Sequence, residues 1–131
     1  MKLLLDTHIW LWSLLDPARL SRRVSRALED PANELWLSPI SVWEVLVLAE
    51  KGRVSLGPNV EDWLGRAWKA GSFKEAPLTR EVALQTRHIL LPHRDPADRF
   101  IAATARVFDL TLVTADHHLL AVKGISTLPN R

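Results

Sequence analysis

Met1-Lys2-Leu3-Leu4-Leu5-Asp6-Thr7 is the stretch on which the fold turns. Three leucines run without alternation into an acid and a hydroxyl. An unbroken apolar run bounded by polar residues reads as a strand buried on both faces, as in a parallel sheet. His8-Ile9-Trp10-Leu11-Trp12-Ser13-Leu14-Leu15 has the length and apolar content of a helix. Asp6 therefore falls where the first strand hands over to the first helix, at the carboxyl edge where open α/β sheets bind ligands. Two roles are open to it. It can cap the helix, or it can face a cation or a hydrogen-bond shell that offsets the cost of desolvating a carboxylate.

The same grammar returns near the other end of the chain. Leu110-Thr111-Leu112-Val113-Thr114 is a second buried strand, and it runs into Ala115-Asp116. Between the two lie alternating helices and strands. Asp16-Pro17 ends the first helix, since the residue before proline is driven out of the α region. Ser21 to Asp30 is a second helix with Val24, Ala27 and Leu28 on one face, and Glu34 to Leu37 a short second strand. Ser38-Pro39 opens a long apolar helix to about Lys51-Gly52, with a capping residue ahead of a proline at the first position. Val54 to Leu56 reads as a short extended piece. Asn59 to Ala70 is a helix closed by Gly71, and Phe73 to Pro77 a strand or extended connector. Thr79 to Ile89 reads as a helix with Val82, Ala83 and Thr86 turned inward, and Leu90 to Arg94 as a loop. Asp95-Pro96-Ala97-Asp98 is the strongest helix start in the chain, leading a helix to Phe108. His117 to Val122 is a short helix or turn. Ile125 to Leu128 is a last strand, ended by Pro129. Strands alternating with helices predict a mainly parallel sheet covered on both faces and joined by right-handed crossovers. No linker or internal repeat divides residues 1–131, so one domain is expected.

Composition narrows the chemistry. The chain has 131 residues, enough for one substantial core. It has no cysteine, which excludes disulfides, thiolate zinc sites and thiol nucleophiles and suits a reducing cytoplasm. No signal peptide or membrane span is visible. Lys and Arg number 17 against 15 acids, and twelve of the 17 are arginine, the residue suited to forked phosphate contacts. If four acids are withdrawn around a metal, eleven remain against 17 bases. The balance is a basic surface around one acidic hole, a pattern suited to a polyanion.

Four acids stand out by position. Asp6 and Asp116 follow the two buried strands and so share one sheet edge. Glu44 is the only charge between Ser38 and Ala49, among Ile40, Ser41, Val47 and Leu48 at helical spacing. Acids are seldom buried without a partner, so it either reaches a polar strip or joins a site. Asp98 is left over once Asp95 has capped its helix, although an acid in a first turn also complements the helix dipole. Converging carboxylates repel one another and their pKa values rise unless a cation neutralises them. Hard oxygen ligands with open positions favour Mg²⁺ or Mn²⁺, and such ions activate water against a phosphodiester. The expectation is a metal-dependent phosphodiester hydrolase.

At this point the chain resembles a known family. Leu5-Asp6-Thr7, Ser41-Val42-Trp43-Glu44, Asp95-Pro96-Ala97-Asp98-Arg99-Phe100-Ile101-Ala102-Ala103-Thr104-Ala105 and Leu112-Val113-Thr114-Ala115-Asp116 are similar, in order and spacing, to the acidic motifs of PIN-domain ribonucleases, above all VapC-type toxins of toxin–antitoxin pairs. The resemblance implies a three-layer α/β/α sandwich on a parallel sheet of four or five strands. It implies Mg²⁺- or Mn²⁺-dependent cleavage of RNA, a homodimer and inhibition by a cognate antitoxin. It assigns Asp6, Glu44, Asp98 and Asp116 as metal-site acids, Asp116 acting directly or through water. It also assigns Thr7 and Thr114 as hydroxyls that hold an acid or a water. Asp95 precedes the third acid in a form seen in part of the family.

His93, Arg94, Arg99, His117 and His118 flank the expected pocket and are candidate RNA phosphate contacts or a solvated rim. The five histidines lack the i, i+4 pairing of a helical zinc site. Most of Trp10, Trp12, Trp43, Trp63 and Trp68 are expected in the core, with some facing a dimer partner or an antitoxin helix. Single-stranded or looped RNA is the expected substrate, because its bases and backbone are accessible. Two other classes use acids at a strand edge: an aspartyl-phosphate phosphotransfer or receiver-like domain, and a non-catalytic metal-binding module. Against a haloacid-dehalogenase-type site, His8 stands where a second Asp would follow Asp6. Against a receiver, Lys123 is poorly placed.

Overall fold

A computed structural model describes residues 1–93 and 95–131. Its centre is a fully parallel sheet of five strands, β1 (Lys2–Leu5), β2 (Glu34–Leu37), β3 (Lys74–Glu75), β4 (Thr111–Thr114) and β5 (Ser126–Pro129), in the order β3-β2-β1-β4-β5. Successive strands step outward from β1 to β3. The chain then crosses to the far side of β1 and adds β4 and β5. The order reverses between β1 and β4, the crevice where doubly wound sheets bind their ligands.

Among the described residues seven helices cover the sheet: α1 (Thr7–Leu15), α2 (Arg22–Glu29), α3 (Pro39–Glu50), α4 (Val60–Ala70), α5 (Arg80–Gln85), α6 (Pro96–Val107) and α7 (His117–Leu120). Register explains the two layers. Leu3 and Leu5 of β1 point with Leu37 and Val113 into one core, built with Ile9, Trp10 and Leu11 of α1, Val24 of α2, Val45 of α3 and Leu64 of α4. Leu4 points the opposite way with Leu112, toward Val82 of α5 and Ile101 and Ala102 of α6. Alternation within a strand that is apolar at every position sends side chains to both faces. The parallel sheet covered on both faces is as the alternation of strands and helices predicts, and the α/β/α sandwich of five strands is as the family resemblance implies.

Helix starts follow the capping chemistry. Ser21, Ser38, Asn59, Thr79 and Asp95 each accept a backbone N–H of the first turn. Four local expectations change. Val54–Leu56 is coil, although Leu56 is buried against the first core. The Thr79–Ile89 helix tightens after Gln85 into a 3-10 turn at Thr86–His88, and Ala83 is exposed. Gly71 closes α4 with φ −97°, and Ser72 takes the left-handed position at φ 50°. Pro129 does not stop the last strand but pairs with Thr114. β5 is an edge strand, where a missing N–H removes no ladder bond. Among the described residues no helix is long and apolar enough to cross a membrane.

Candidate active site

The acids meet at the carboxyl edge of the sheet. A cleft of about 320 Å³ is lined by Asp6, Glu44, Asp95, Asp98 and Asp116, together with His8, Trp12 and Ala115. Asp6 arrives from the end of β1, Asp116 from the end of β4, and Asp95 and Asp98 from the start of α6. Glu44 reaches it because α3 packs against both α1 and α6, one from each layer, and so lies across the edge.

Two threonines lock the arrangement. The Thr114 hydroxyl donates to Asp6 Oδ2 at 2.6 Å, and the Thr7 backbone N–H donates to Asp6 Oδ1 at 2.9 Å. Asp6 is thus both cap and pocket residue, so the two roles open to it in the sequence coexist. The Thr7 hydroxyl donates to Glu44 Oε1 at 2.5 Å and lies 2.9 Å from Ser41 Oγ. Thr114 Oγ1 also accepts the Asp116 N–H at 3.0 Å. Asp116 caps α7, its Oδ1 accepting from His118 and Leu119. Asp95 caps α6 through Ala97, which leaves Asp98 free for the pocket. The Asp95 N–H donates to His93 Nδ1 at 3.2 Å, placing that ring's proton on Nε2, 3.4 Å from Asp98 Oδ2.

Asp6 and Asp98 are only 7% and 8% exposed. Burial pushes the Asp6 carboxyl above the ordinary carboxylate value, outweighing its two hydrogen bonds. Burial lifts Glu44 to about 7, against the Thr7 hydrogen bond, and neighbouring Asp6 and Asp95 add to the rise. Burial lifts Asp98 to about 8, reinforced by Asp95, Asp6, Asp116 and Glu44. His8 is the one base among the described residues lining the cleft. Clustered carboxyl oxygens are the kind of ligand that a hard divalent cation takes, and such a charge would favour the ionised forms of Asp6, Glu44 and Asp98.

The PIN domain family matches residues 3–125. The chain belongs to the PIN-domain family. Ribonuclease VapC22 of Mycobacterium tuberculosis is 39% identical over 119 residues, 88% of each chain. Among solved structures this PIN domain superposes on DNA-bound VapBC from Salmonella typhimurium with a TM-score of 0.72 at 20% identity, covering 100% of this chain and 99% of that one. VapBC2 from Rickettsia felis, bound to a promoter DNA fragment, gives 0.71 at 15% identity and 98% of both chains. FitAcB from Neisseria gonorrhoeae gives 0.60 at 25% identity, over 98% and 97%.

Other candidate residues of the PIN domain divide. The rings of His93, His117 and His118 pack together beside Asp98 and Asp116 at the rim, with centroids 5.2 Å (His93–His118) and 4.1 Å (His117–His118) apart. Asp116, His117 and His118 bring possible ligand atoms within 4.8 Å of one another, an adjacency that helical spacing does not reveal. Arg99 turns away from the cleft: its Nη1 donates to the Ile89 carbonyl at 2.8 Å. Arg94 lies outside the described residues. His8 and Trp12 are the lining residues that the sequence does not single out. The signal was their i, i+4 spacing on the helix that Asp6 caps.

Proposed function

We propose that the chain is a divalent-metal-dependent endoribonuclease, using Mg²⁺ or Mn²⁺, and the toxin of a type II toxin–antitoxin pair. The observation that carries this reading is the gathering of Asp6, Glu44, Asp98 and Asp116 in one cleft where burial raises the carboxyl pKa values of the first three. The 39% identity to a protein named as a ribonuclease supports RNA as the substrate, and the likeness to VapBC toxin–antitoxin structures supports an antitoxin partner. On this reading residues 1–131 act as one domain, in the cytoplasm, as a homodimer. Trp43, 48% exposed, and the apolar groove of Val42, Leu46, Leu64 and Trp68 are the surfaces suited to anchoring a partner.

The residues divide the work. Asp6, Glu44 and Asp98 would hold the ion, with Asp116 completing the set directly or through water. Bound there, the ion supplies positive charge that acidifies water and neutralises a phosphodiester. Thr114 and Thr7 aim Asp6 and Glu44 with short hydrogen bonds, so the carboxylates need little rearrangement before use. His93 steadies Asp98 from the rim. The aspartyl-phosphate alternative is not favoured, since no lysine lines the cleft among the described residues.

Asp6→Asn tests the reading. The variant removes a charge but keeps the shape, so it is expected to fold and to lose at least about 100-fold in Mg²⁺-dependent RNA cleavage, the scale of one electrostatic catalytic group. Retained cleavage, or wild-type cleavage undiminished by EDTA, would overturn it.

A further inference from the structure

An acid-lined cleft repels the phosphates of the strand it is proposed to cut, so a cationic contact is needed just outside it. One wall answers this need. Trp12 lines the cleft beside Asp6 and is half-buried. The His8 ring lies one helical turn before it on α1, its centroid 5.8 Å from the indole. The Arg19 guanidinium sits 4.2 Å above the Trp12 ring. Arg19 is exposed, at the end of the 3-10 turn Pro17–Arg19 that follows α1.

The segment that carries Arg19 is tied to the same strand edge as the acids. Asn130 Nδ2 donates to the Arg19 carbonyl at 3.0 Å, and Asn130 Oδ1 accepts the Ser21 N–H at 2.7 Å. The Asn130 backbone N–H donates to the Thr114 carbonyl at 2.9 Å, on the residue whose hydroxyl holds Asp6. One asparagine therefore sets Arg19 at a fixed place relative to the reacting edge. The Trp12 ring removes side-chain freedom from the guanidinium through a cation–π contact.

We infer that Trp12 and Arg19 form a nucleotide subsite adjoining the acid cleft, which takes the nucleotide of a single-stranded RNA next to the bond to be cut. The edge of the Arg19 guanidinium contacts the phosphate, and its outer face, backed by the Trp12 indole, gives the base a stacking surface. His8 backs the indole on the cleft side. The inference rests on the RNA-cleaving reading and names how that substrate is gripped.

The test is anisotropy of a labelled single-stranded RNA of about 12 nucleotides on the full chain, with Ca²⁺ in place of Mg²⁺, over roughly 50–200 mM salt. Arg19→Ala is expected to weaken binding about 5- to 10-fold and to lower the slope of log affinity against log salt by about 0.7, the single-strand value for one phosphate contact. Arg19→Lys keeps the slope and recovers part of the affinity, since lysine supplies charge without a plane. Trp12→Phe weakens binding with the slope unchanged. Arg19 is on the surface, so its variants decide the matter even if replacing Trp12 disturbs packing. Wild-type affinity and slope in Arg19→Ala would overturn the subsite alone, provided the parent chain binds and cuts RNA. A parent chain that does neither would overturn the RNA reading, and the subsite with it.

Discussion

Helix α1 serves two regions of opposite character. On one side Trp10 is fully buried, and its indole meets Trp68 and Phe73 edge-on at centroid separations of 6.3 and 6.2 Å. At its N-terminal end the same helix is capped by Asp6, a buried acid whose pKa burial has raised. The aromatic cluster gains from apolar burial and edge-on ring contacts, although the buried Trp10 indole N–H finds no acceptor among the described residues. In the acid cleft burial makes Asp6, Glu44 and Asp98 harder to ionise than they would be in water. The two differ in what burial does to them: it desolvates carboxyl groups at the end of α1 and packs aromatic rings along its side.

The largest effect is expected in the aromatic cluster. Trp10→Ala removes a fully buried indole from contact with two rings and is expected to cost about 3–5 kcal/mol in urea unfolding. That is a large part of the roughly 5–15 kcal/mol total of a natural domain. A loss below about 1 kcal/mol would show that the cluster is not what supports the cleft.

The cleft should respond to protons and cations instead. Asp98 and Glu44 hold protons more tightly folded than unfolded, with folded values of about 8 and about 7. The stability they contribute is full below the ordinary carboxylate range and is lost as pH rises through those values, because the unfolded chain has already released protons that the folded chain still holds. The metal-free melting temperature should therefore fall between pH 6 and pH 9, by several degrees at about 2–8 °C per kcal/mol for a domain of this size. Mg²⁺ should restore most of the loss at the alkaline end. Asp98→Asn should flatten the profile. A parent profile already flat in EDTA would remove the contrast between the two regions.

Much of this architecture is legible in the residues. β1 and β4 declare themselves because a strand covered on both faces is apolar at every position, and each carries an acid just past its end. Glu44 stands out as a lone charge on an apolar helix. Features that depend on tertiary packing are not legible. Leu56 is buried by packing against the first core, which periodicity cannot distinguish from a strand. β3 is two residues long and exists through its pairing with β2. Trp12 escapes notice because α1 is apolar almost all round, so no polar face shows which tryptophan looks toward the acids. The Thr7 bond to Glu44 spans 37 positions and follows from α3 crossing the sheet edge, which no local pattern encodes.

The smallest effect is expected at two adjacent residues beside the aromatic cluster. A side chain on Gly71 would place its Cβ 2.1 Å from the Phe73 ring, so the glycine is there for close approach, at an ordinary φ of −97°. Ser72, next to it, carries the left-handed turn at φ 50°, a conformation that costs a residue with a Cβ about 1–2 kcal/mol. Glycine at 72 would relieve that cost and add back part of it as unfolded-chain entropy, about 0.4–1 kcal/mol. Ser72→Gly should therefore stabilise the chain by about 0.5–1 kcal/mol on those two figures. The gain should be equal at pH 6 and pH 9 and with or without Mg²⁺, because no titrating group of the cleft takes part. A gain that varied with pH or metal would mean that the two regions are coupled through more than the shared helix.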